Sequence, residues 1–220
     1  MPNSQPLDDP ALRPLLSTAR LATYEAACGG DTAQAMRLYA WNIEASAALW
    51  SDFAVLEVCL RNTINNQLSA HTGQADWWNS PHLVLRAEQQ DTIQAVGGQA
   101  GLAQPSQVVA SLTFGFWTAL LANRYHQRLW VPALHLAFPY YSGRRGALQQ
   151  DLEHLRRLRN RLAHHEPVFS RDMAADHQRA VNILRWITPA AGDWAEQASR
   201  LPSVLAGRAA TVAGTRPPTF

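Results

Sequence analysis

The sequence predicts an all-α protein. Apolar residues recur at steps of three and four through long stretches, which is the spacing of one helix face. The clearest such series are Leu49, Phe53, Leu56, Leu60, Ile64 and Leu68, and then Leu148, Leu152, Leu155, Leu158 and Leu162. The segment Leu112–Trp117 has the composition of a strand, but helical sequence flanks it and no partner strand is visible elsewhere. We therefore assign it to a helix and expect a helical bundle with additional helices.

Glycine, proline and cap-forming residues divide the chain into successive helices. We expect helices over about 10–27, 31–71, 83–96, 107–117, 145–164 and 170–188. Asp31 or Thr32 caps the second, which is either one long helix or two helices with a kink near Asn42. Residues 73–81 form a loop anchored by Trp77 and Trp78, which either pack beneath it or stack on bases.

Proline-rich and aperiodic ends limit the predicted domain. We expect one domain over residues 10–200, a flexible arm over residues 1–9 and a flexible tail over residues 201–220. The 220-residue chain has no run of 18 apolar residues and no signal-peptide pattern, which predicts a cytoplasmic protein with no membrane contact.

Several classes of chemistry lack their sequence signature. The chain contains no Lys and therefore no P-loop, and it contains no Gly-x-Ser-x-Gly elbow. Cys28 and Cys59 are interpreted as apolar helix residues rather than a disulfide or metal pair. The histidines have no strong ligand spacing, so we expect no metal and no cofactor.

The basic residues are unevenly placed. All 19 are Arg, although the formal net charge is only +2. Six of them lie close together, and two acidic residues oppose them there: Arg144, Arg145, Arg156, Arg157, Arg159 and Arg161, against Asp151 and Glu153. This basic strip indicates one contact site for RNA or phosphate, or else a solvated helix face.

The segment from Arg159 to Pro167 combines a permanent cation with two imidazoles near the end of a predicted helix. Arg can clamp phosphate oxygens, and His can exchange protons near neutral pH. A helix C-terminus favours protonated His164 or His165, and Asn160 lies one turn before His164. Metal-free RNA cleavage needs such groups. The structural alternative is a basic helix end whose His residues bind terminal carbonyls.

Helix geometry makes this combination demanding. At about 100° per residue, Arg159 points into the leucine stripe and His164 points to nearly the opposite side. A charged Arg on an apolar face is costly unless it is paired or hydrated. Either the helix distorts before Glu166 and Pro167, or Arg159 lies in a seam between two subunits. We expect Glu57 to pair with Arg61 at the i,i+4 spacing, in a structural role.

Residues 159–169 resemble the signature of the Abi-like, AbiD/AbiF-type bacterial phage-exclusion proteins of the HEPN superfamily. That signature is an Arg, then four to six residues, then a His, with Asn often after the Arg. Three further segments resemble other blocks of the family in the same order: Leu38–Asn42, Leu56–Asn62 and Leu112–Trp117, the last followed by Leu129-Trp130. The resemblance covers about residues 20–190.

The resemblance implies an α-helical HEPN bundle that forms a homodimer, with two Arg–His motifs in one cleft. It implies metal-independent endoribonuclease chemistry, in which His164 is the general acid or base, Arg159 stabilises phosphoryl charge and Asn160 positions either. His165 is the alternative imidazole, and Glu166 can support either His. The family also implies phage defence or a toxin–antitoxin role, with RNA or protein as antitoxin. A non-catalytic RNA- or protein-binding member is the alternative, and a toxin silenced by its partner is a third reading.

Overall fold

The computed structural model describes residues 11–99 and 104–220, and all regular secondary structure in these two stretches is helical. This confirms the all-α class. The α-helices, in chain order, are α1 Leu12–Leu16, α2 Thr18–Ala27, α3 Thr32–Thr72, α4 Ala87–Gln99, α5 Pro105–Ser111, α6 Phe114–Ala119, α7 Arg145–Ala163, α8 Met173–Ile187, α9 Pro189–Ala198, α10 Leu201–Ala206 and α11 Arg208–Val212. Short 3₁₀ turns cover Trp77–Asn79, Asn123–Tyr125 and Leu134–Ala137, and one π-helical turn covers His126–Trp130.

The described chain divides into two compact units, and the single domain expected for residues 10–200 stays a prediction. The first unit contains residues 11–51, 161–177 and 199–220, and the second contains residues 52–160 and 178–198. The predicted arm over residues 1–9 lies outside the described residues.

The core of the first unit is built around the first half of α3. Trp41 is fully buried and donates from Nε1 to the Val204 carbonyl at 3.0 Å. Asn42 Oδ1 accepts from the Val168 amide at 2.8 Å. Because a tertiary partner binds this side chain, it does not compete with the helix's own backbone bonds. The structure accordingly has one continuous helix here, which decides between the two predicted forms of this segment.

The second unit packs the two predicted apolar stripes. In this unit the α3 residues Phe53 to Leu68 of the stripe are 0–2% exposed, and the α7 leucines from Leu148 to Leu158 are 0% exposed. Trp77 is fully buried, donates from Nε1 to Asn65 Oδ1 at 3.0 Å, and lies 6.2 Å from the Trp117 ring centroid. This confirms the prediction that the loop aromatic at position 77 packs under its loop.

Two predicted helices are interrupted by side-chain caps. Ser17 has φ 64°, and its hydroxyl accepts from the Arg20 amide at 3.3 Å, so α2 starts anew after α1. Thr113 is extended, and its hydroxyl accepts from the Phe116 amide at 3.3 Å, which separates α6 from α5. A capping hydroxyl satisfies an amide that the helix start leaves unpaired, and therefore stabilises a break.

The predicted flexible tail over residues 201–220 differs from the structure. It contains α10 and α11, with Leu201, Val204 and Thr211 buried. Arg216 donates from Nη2 to Glu44 Oε1 at 2.6 Å, and this carboxylate is almost completely buried. Only a few apolar side chains of this segment are buried, so its sequence has no clear helical spacing of apolar residues. The two helices could therefore not be predicted from that spacing.

Candidate active site

The C-terminus of α7 closes in a Schellman turn. The helix ends at Ala163, and His165 takes the left-handed conformation with φ 54°. The His165 amide donates to the Leu162 carbonyl at 3.0 Å, and the Glu166 amide donates to the Arg161 carbonyl at 2.9 Å. These two bonds define the motif, and Pro167 directly after it prevents the helix from continuing. The backbone that carries both imidazoles is therefore fixed by hydrogen bonds.

Two arginines bind the outside of this turn. Arg20 of α2 donates from Nη1 to the His165 carbonyl at 2.6 Å. Arg161 donates from Nη2 to the Pro167 carbonyl at 2.8 Å, and its Nε lies 3.4 Å from Glu166 Oε2. His164, His165 and Glu166 are all exposed. The turn thus presents two imidazoles to solvent on a backbone held from both sides.

Arg159 has a partner that the sequence analysis did not foresee. Its Nε donates to Glu57 Oε1 of α3 at 2.8 Å, with the two side chains 28% and 27% exposed. This ion pair offsets the cost of a charge beside the leucine stripe. The predicted pair between Glu57 and Arg61 was wrong, because Arg61 instead donates to Asn62 Oδ1 at 3.3 Å and to the Ala110 carbonyl at 3.2 Å.

The two halves of the candidate motif belong to different units. Arg159 and the half-buried Asn160 are in the second unit, whereas His164, His165 and Glu166 are in the first. They are nevertheless close along the chain, at the end of one helix. The helix ends before Glu166 and Pro167, and both possibilities for bringing Arg159 and His164 to one site stay predictions.

Most arginines of the basic strip bind groups of their own chain. Arg156 donates from Nε to Glu153 Oε2 at 2.7 Å, and Arg157 donates from Nε to Glu153 Oε1 at 3.1 Å. The hydrogen bond from Arg156 is the main reason that the pKa of Glu153 lies below its ordinary value. Arg145 bonds the Leu121 carbonyl, and its Nη2 donates to Asn123 Oδ1 at 3.0 Å.

One of the two acidic residues expected to oppose the strip has a different partner, and two arginines of the strip are exposed. Asp151, expected to oppose the strip, instead accepts from Arg179 of α8 at 2.9 Å. Arg144 is exposed, and Arg157 retains 74% of its side-chain surface despite its ion pair. These two positions are the most accessible of the predicted RNA-binding residues.

A small cavity adjoins the Schellman turn, and the sequence analysis did not identify it. It has a volume of about 180 Å³. Its lining comes from α2, α3, α7 and the turn, all within the first unit: Arg20, Tyr39, Asn42, Ile43, Ser46, Leu162 and His165. Tyr39, Asn42 and Ser46 lie at steps of three and four on α3, which would have suggested a shared polar face. Nothing in the sequence around Arg20 signals its approach to this face.

Comparisons with protein-family models, with curated proteins and with solved structures find no match for this chain. Among the described residues, no three His, Cys, Asp or Glu side chains are grouped as metal ligands would be. No helix in residues 11–99 and 104–220 combines the length and the apolar character needed to cross a membrane.

Proposed function

We propose that this protein is a metal-independent endoribonuclease of the HEPN type, of the Abi-like class that it resembles. In this reaction the ribose 2′-OH attacks the adjacent phosphorus, the 5′-oxygen leaves, and the product carries a 2′,3′-cyclic phosphate. The protein acts in the cytoplasm as a homodimer, in phage defence or as a toxin. RNA is the substrate, and an RNA or protein antitoxin is a further partner.

The observation that carries the proposal is the pair of exposed imidazoles on the hydrogen-bonded turn at the end of α7. General acid–base catalysis requires a titratable group that reaches the substrate from a defined position. His164 and His165 satisfy both requirements, since both are exposed and the cap fixes their backbone. We assign proton transfer to His164 and keep His165 as the alternative.

We assign to Arg159 the stabilisation of charge on the phosphoryl oxygens, and to Glu57 its orientation. A carboxylate that binds Nε restricts rotation of the guanidinium and presents its plane in one direction. Such preorganised donors supply most of the electrostatic stabilisation in acyl- and phosphoryl-transfer sites. Asn160, next along α7, positions the phosphate or the imidazole, and Glu166 supports the turn through Arg161.

The ion pairs of the strip favour a second function, a non-catalytic HEPN protein that binds RNA or protein. Arg156, Arg157, Arg159 and Arg161 each contact a carboxylate of the same chain. An arginine that already has such a partner gains less from a phosphate than an unpaired one does. In that function the protein binds its partner and leaves RNA intact.

Cleavage of RNA in EDTA separates the two functions. We expect His164→Ala and Arg159→Ala each to lower the cleavage rate by at least about 100-fold, as for loss of a general acid or of a phosphate-binding group. His71→Ala is the matched histidine control, because His71 is exposed in the last turn of another helix, α3. Arg179→Ala is the matched arginine control.

The arginine control is close in geometry. Arg179 pairs with Asp151 of α7 at 2.9 Å, with side chains 31% and 33% exposed, nearly the values of the pair between Arg159 and Glu57. Both substitutions should lower stability alike, by about 1 kcal/mol. If both arginine variants lose cleavage equally, or if His164→Ala keeps the wild-type rate, the assigned roles are wrong. RNA binding without cleavage by the wild type would favour the second function.

A further inference from the structure

We infer that the cavity beside the Schellman turn binds a phosphate group of the RNA. This inference rests on the proposed function, because it assigns to the RNA chain a subsite next to the imidazoles. The cavity has no part in the Arg159 chemistry, and its residues all belong to the first unit.

The charge of the lining favours an anion. Arg20 contributes a guanidinium to the lining, and no Asp or Glu contributes to it. Arg20 uses Nη1 on the His165 carbonyl, and no carboxylate of the described residues pairs with it. A guanidinium that is partly buried without a counter-charge is stabilised by an anion that enters the space beside it.

The polar groups of the lining are mainly donors. Asn42 is 4% exposed, and its Oδ1 is already bound by the Val168 amide, so its Nδ2 is the group left for the cavity. The hydroxyls of Tyr39 and Ser46 have no hydrogen-bond partner among the described residues. Amide, hydroxyl and guanidinium donors that converge on one small space match the oxygens of a phosphate.

The volume limits the size of the ligand. About 180 Å³ holds roughly six water molecules at about 30 Å³ each. Sites for complete small-molecule ligands occupy about 300–1,000 Å³. One phosphate group with part of its sugar fits the cavity, whereas a whole nucleotide held as a free ligand exceeds it. The phosphate is therefore best supplied by a chain that continues outside the cavity.

Binding of an RNA analogue that cannot be cleaved tests this inference separately from catalysis. The probe is an eight-nucleotide RNA with 2′-O-methyl groups throughout, which lacks the attacking hydroxyl, and inorganic phosphate forms a second arm. The variants are Arg20→Gln, which removes the cation of the lining, and Ser46→Asp, which adds a carboxylate to the lining. Arg13→Gln is the charge-matched control, since Arg13 is on α1, pairs with Glu25 at 2.5 Å and does not line the cavity.

We expect both cavity variants to weaken binding of the oligonucleotide by about tenfold or more, the loss that corresponds to one charge-assisted hydrogen bond. The control should remain within about twofold of wild type. Wild-type affinity in folded Arg20→Gln and Ser46→Asp proteins would overturn the inference. The inference would also be overturned if the variants bound the oligonucleotide normally and lost only the binding of inorganic phosphate, because the cavity would then bind a free anion and not RNA. Loss of binding by the variants in a protein that cleaves no RNA would keep the subsite and reject the nuclease.

Discussion

The left-handed conformation of His165 makes a quantitative prediction about stability. At φ 54°, a residue with a Cβ is strained by about 1–2 kcal/mol, although His tolerates this region better than most residues. Glycine removes that strain but costs about 0.5–1 kcal/mol through the greater freedom of the unfolded chain. His165→Gly should therefore stabilise the protein by about 0.5–1 kcal/mol. His165→Asn should be close to neutral, and His165→Val should destabilise by about 1 kcal/mol or more.

The contacts of the turn allow this series to report chiefly on backbone strain, although the His165 side chain also lines the cavity. The bonds made at position 165 use its amide and its carbonyl, to Leu162 and Arg20 respectively, and the ring is exposed. All three substitutions keep those backbone groups. Urea unfolding followed by circular dichroism measures the changes, which correspond to roughly 2–4 °C in Tm per 1 kcal/mol for a chain of this length.

The order Gly, then His and Asn, then Val tests the reasoning. A valine variant as stable as the glycine variant would refute the strained cap, because it would mean that position 165 does not hold a left-handed conformation in solution. The same proteins identify the imidazole. His165→Gly keeps the cap and lacks the ring, so retained RNA cleavage assigns proton transfer to His164, and a loss of about 100-fold in a stable protein assigns it to His165.

Three further predictions concern stability. The Tyr24 hydroxyl is buried and has no hydrogen-bond partner among the described residues, and burial is the main cause that raises its pKa to about 12. The stability that this group contributes is therefore complete below pH 10 and is lost as the pH rises towards 12. Tyr24→Phe should leave stability at pH 7 unchanged or higher, and should reduce the loss of stability that urea unfolding measures between pH 9 and pH 11. Deletion of residues 201–220 should lower the free energy of unfolding by at least about 3 kcal/mol, because Leu201 and Val204 are buried and would be removed. An unchanged urea midpoint would instead support the predicted flexible tail. Thr113→Ala should cost about 1 kcal/mol through loss of the α6 cap, whereas Thr113→Ser should cost less, and equal urea midpoints for the two variants would show that the hydroxyl does not cap this helix.

Periodic burial was the part of the fold that the sequence could predict. The leucines of α7 and the apolar residues of the α3 stripe are buried as expected. A long apolar stripe at helical spacing is stable when it packs against another element of the structure. The end of α7 was also indicated in advance, because Pro167 disfavours helix at the residue before it. These signals depend on residues near one another in the chain.

Interactions between distant residues were the part that could not be predicted. Glu57 and Arg159 are 102 positions apart, and i,i+4 spacing pointed to a different partner for the carboxylate. An i,i+4 ion pair on a helix contributes only a few tenths of a kcal/mol to stability. Tertiary packing that places Arg159 beside Glu57 is enough to replace such a pair. Arg20 illustrates the same limit at the candidate site, because its contact with the His165 carbonyl spans 145 positions. Burial could be read from the sequence, but the tertiary partners of these charged groups could not.

The shared carboxylate of Glu153 has a consequence for how any polyanion meets this protein. Proteins that bind nucleic acid through unpaired cations displace ions that are condensed on the phosphates, so their affinity falls steeply as the salt concentration rises. For each neutralised phosphate, a tenfold rise in salt concentration lowers the affinity roughly tenfold. Arg156 and Arg157 already have one carboxylate between them. When a phosphate binds these arginines, it takes the place of the Glu153 carboxylate as their anionic partner. The carboxylate then gains a counterion from solution while the phosphate releases one. RNA binding across the basic strip from Arg144 to Arg161 should consequently depend on ionic strength much less than its six arginines suggest.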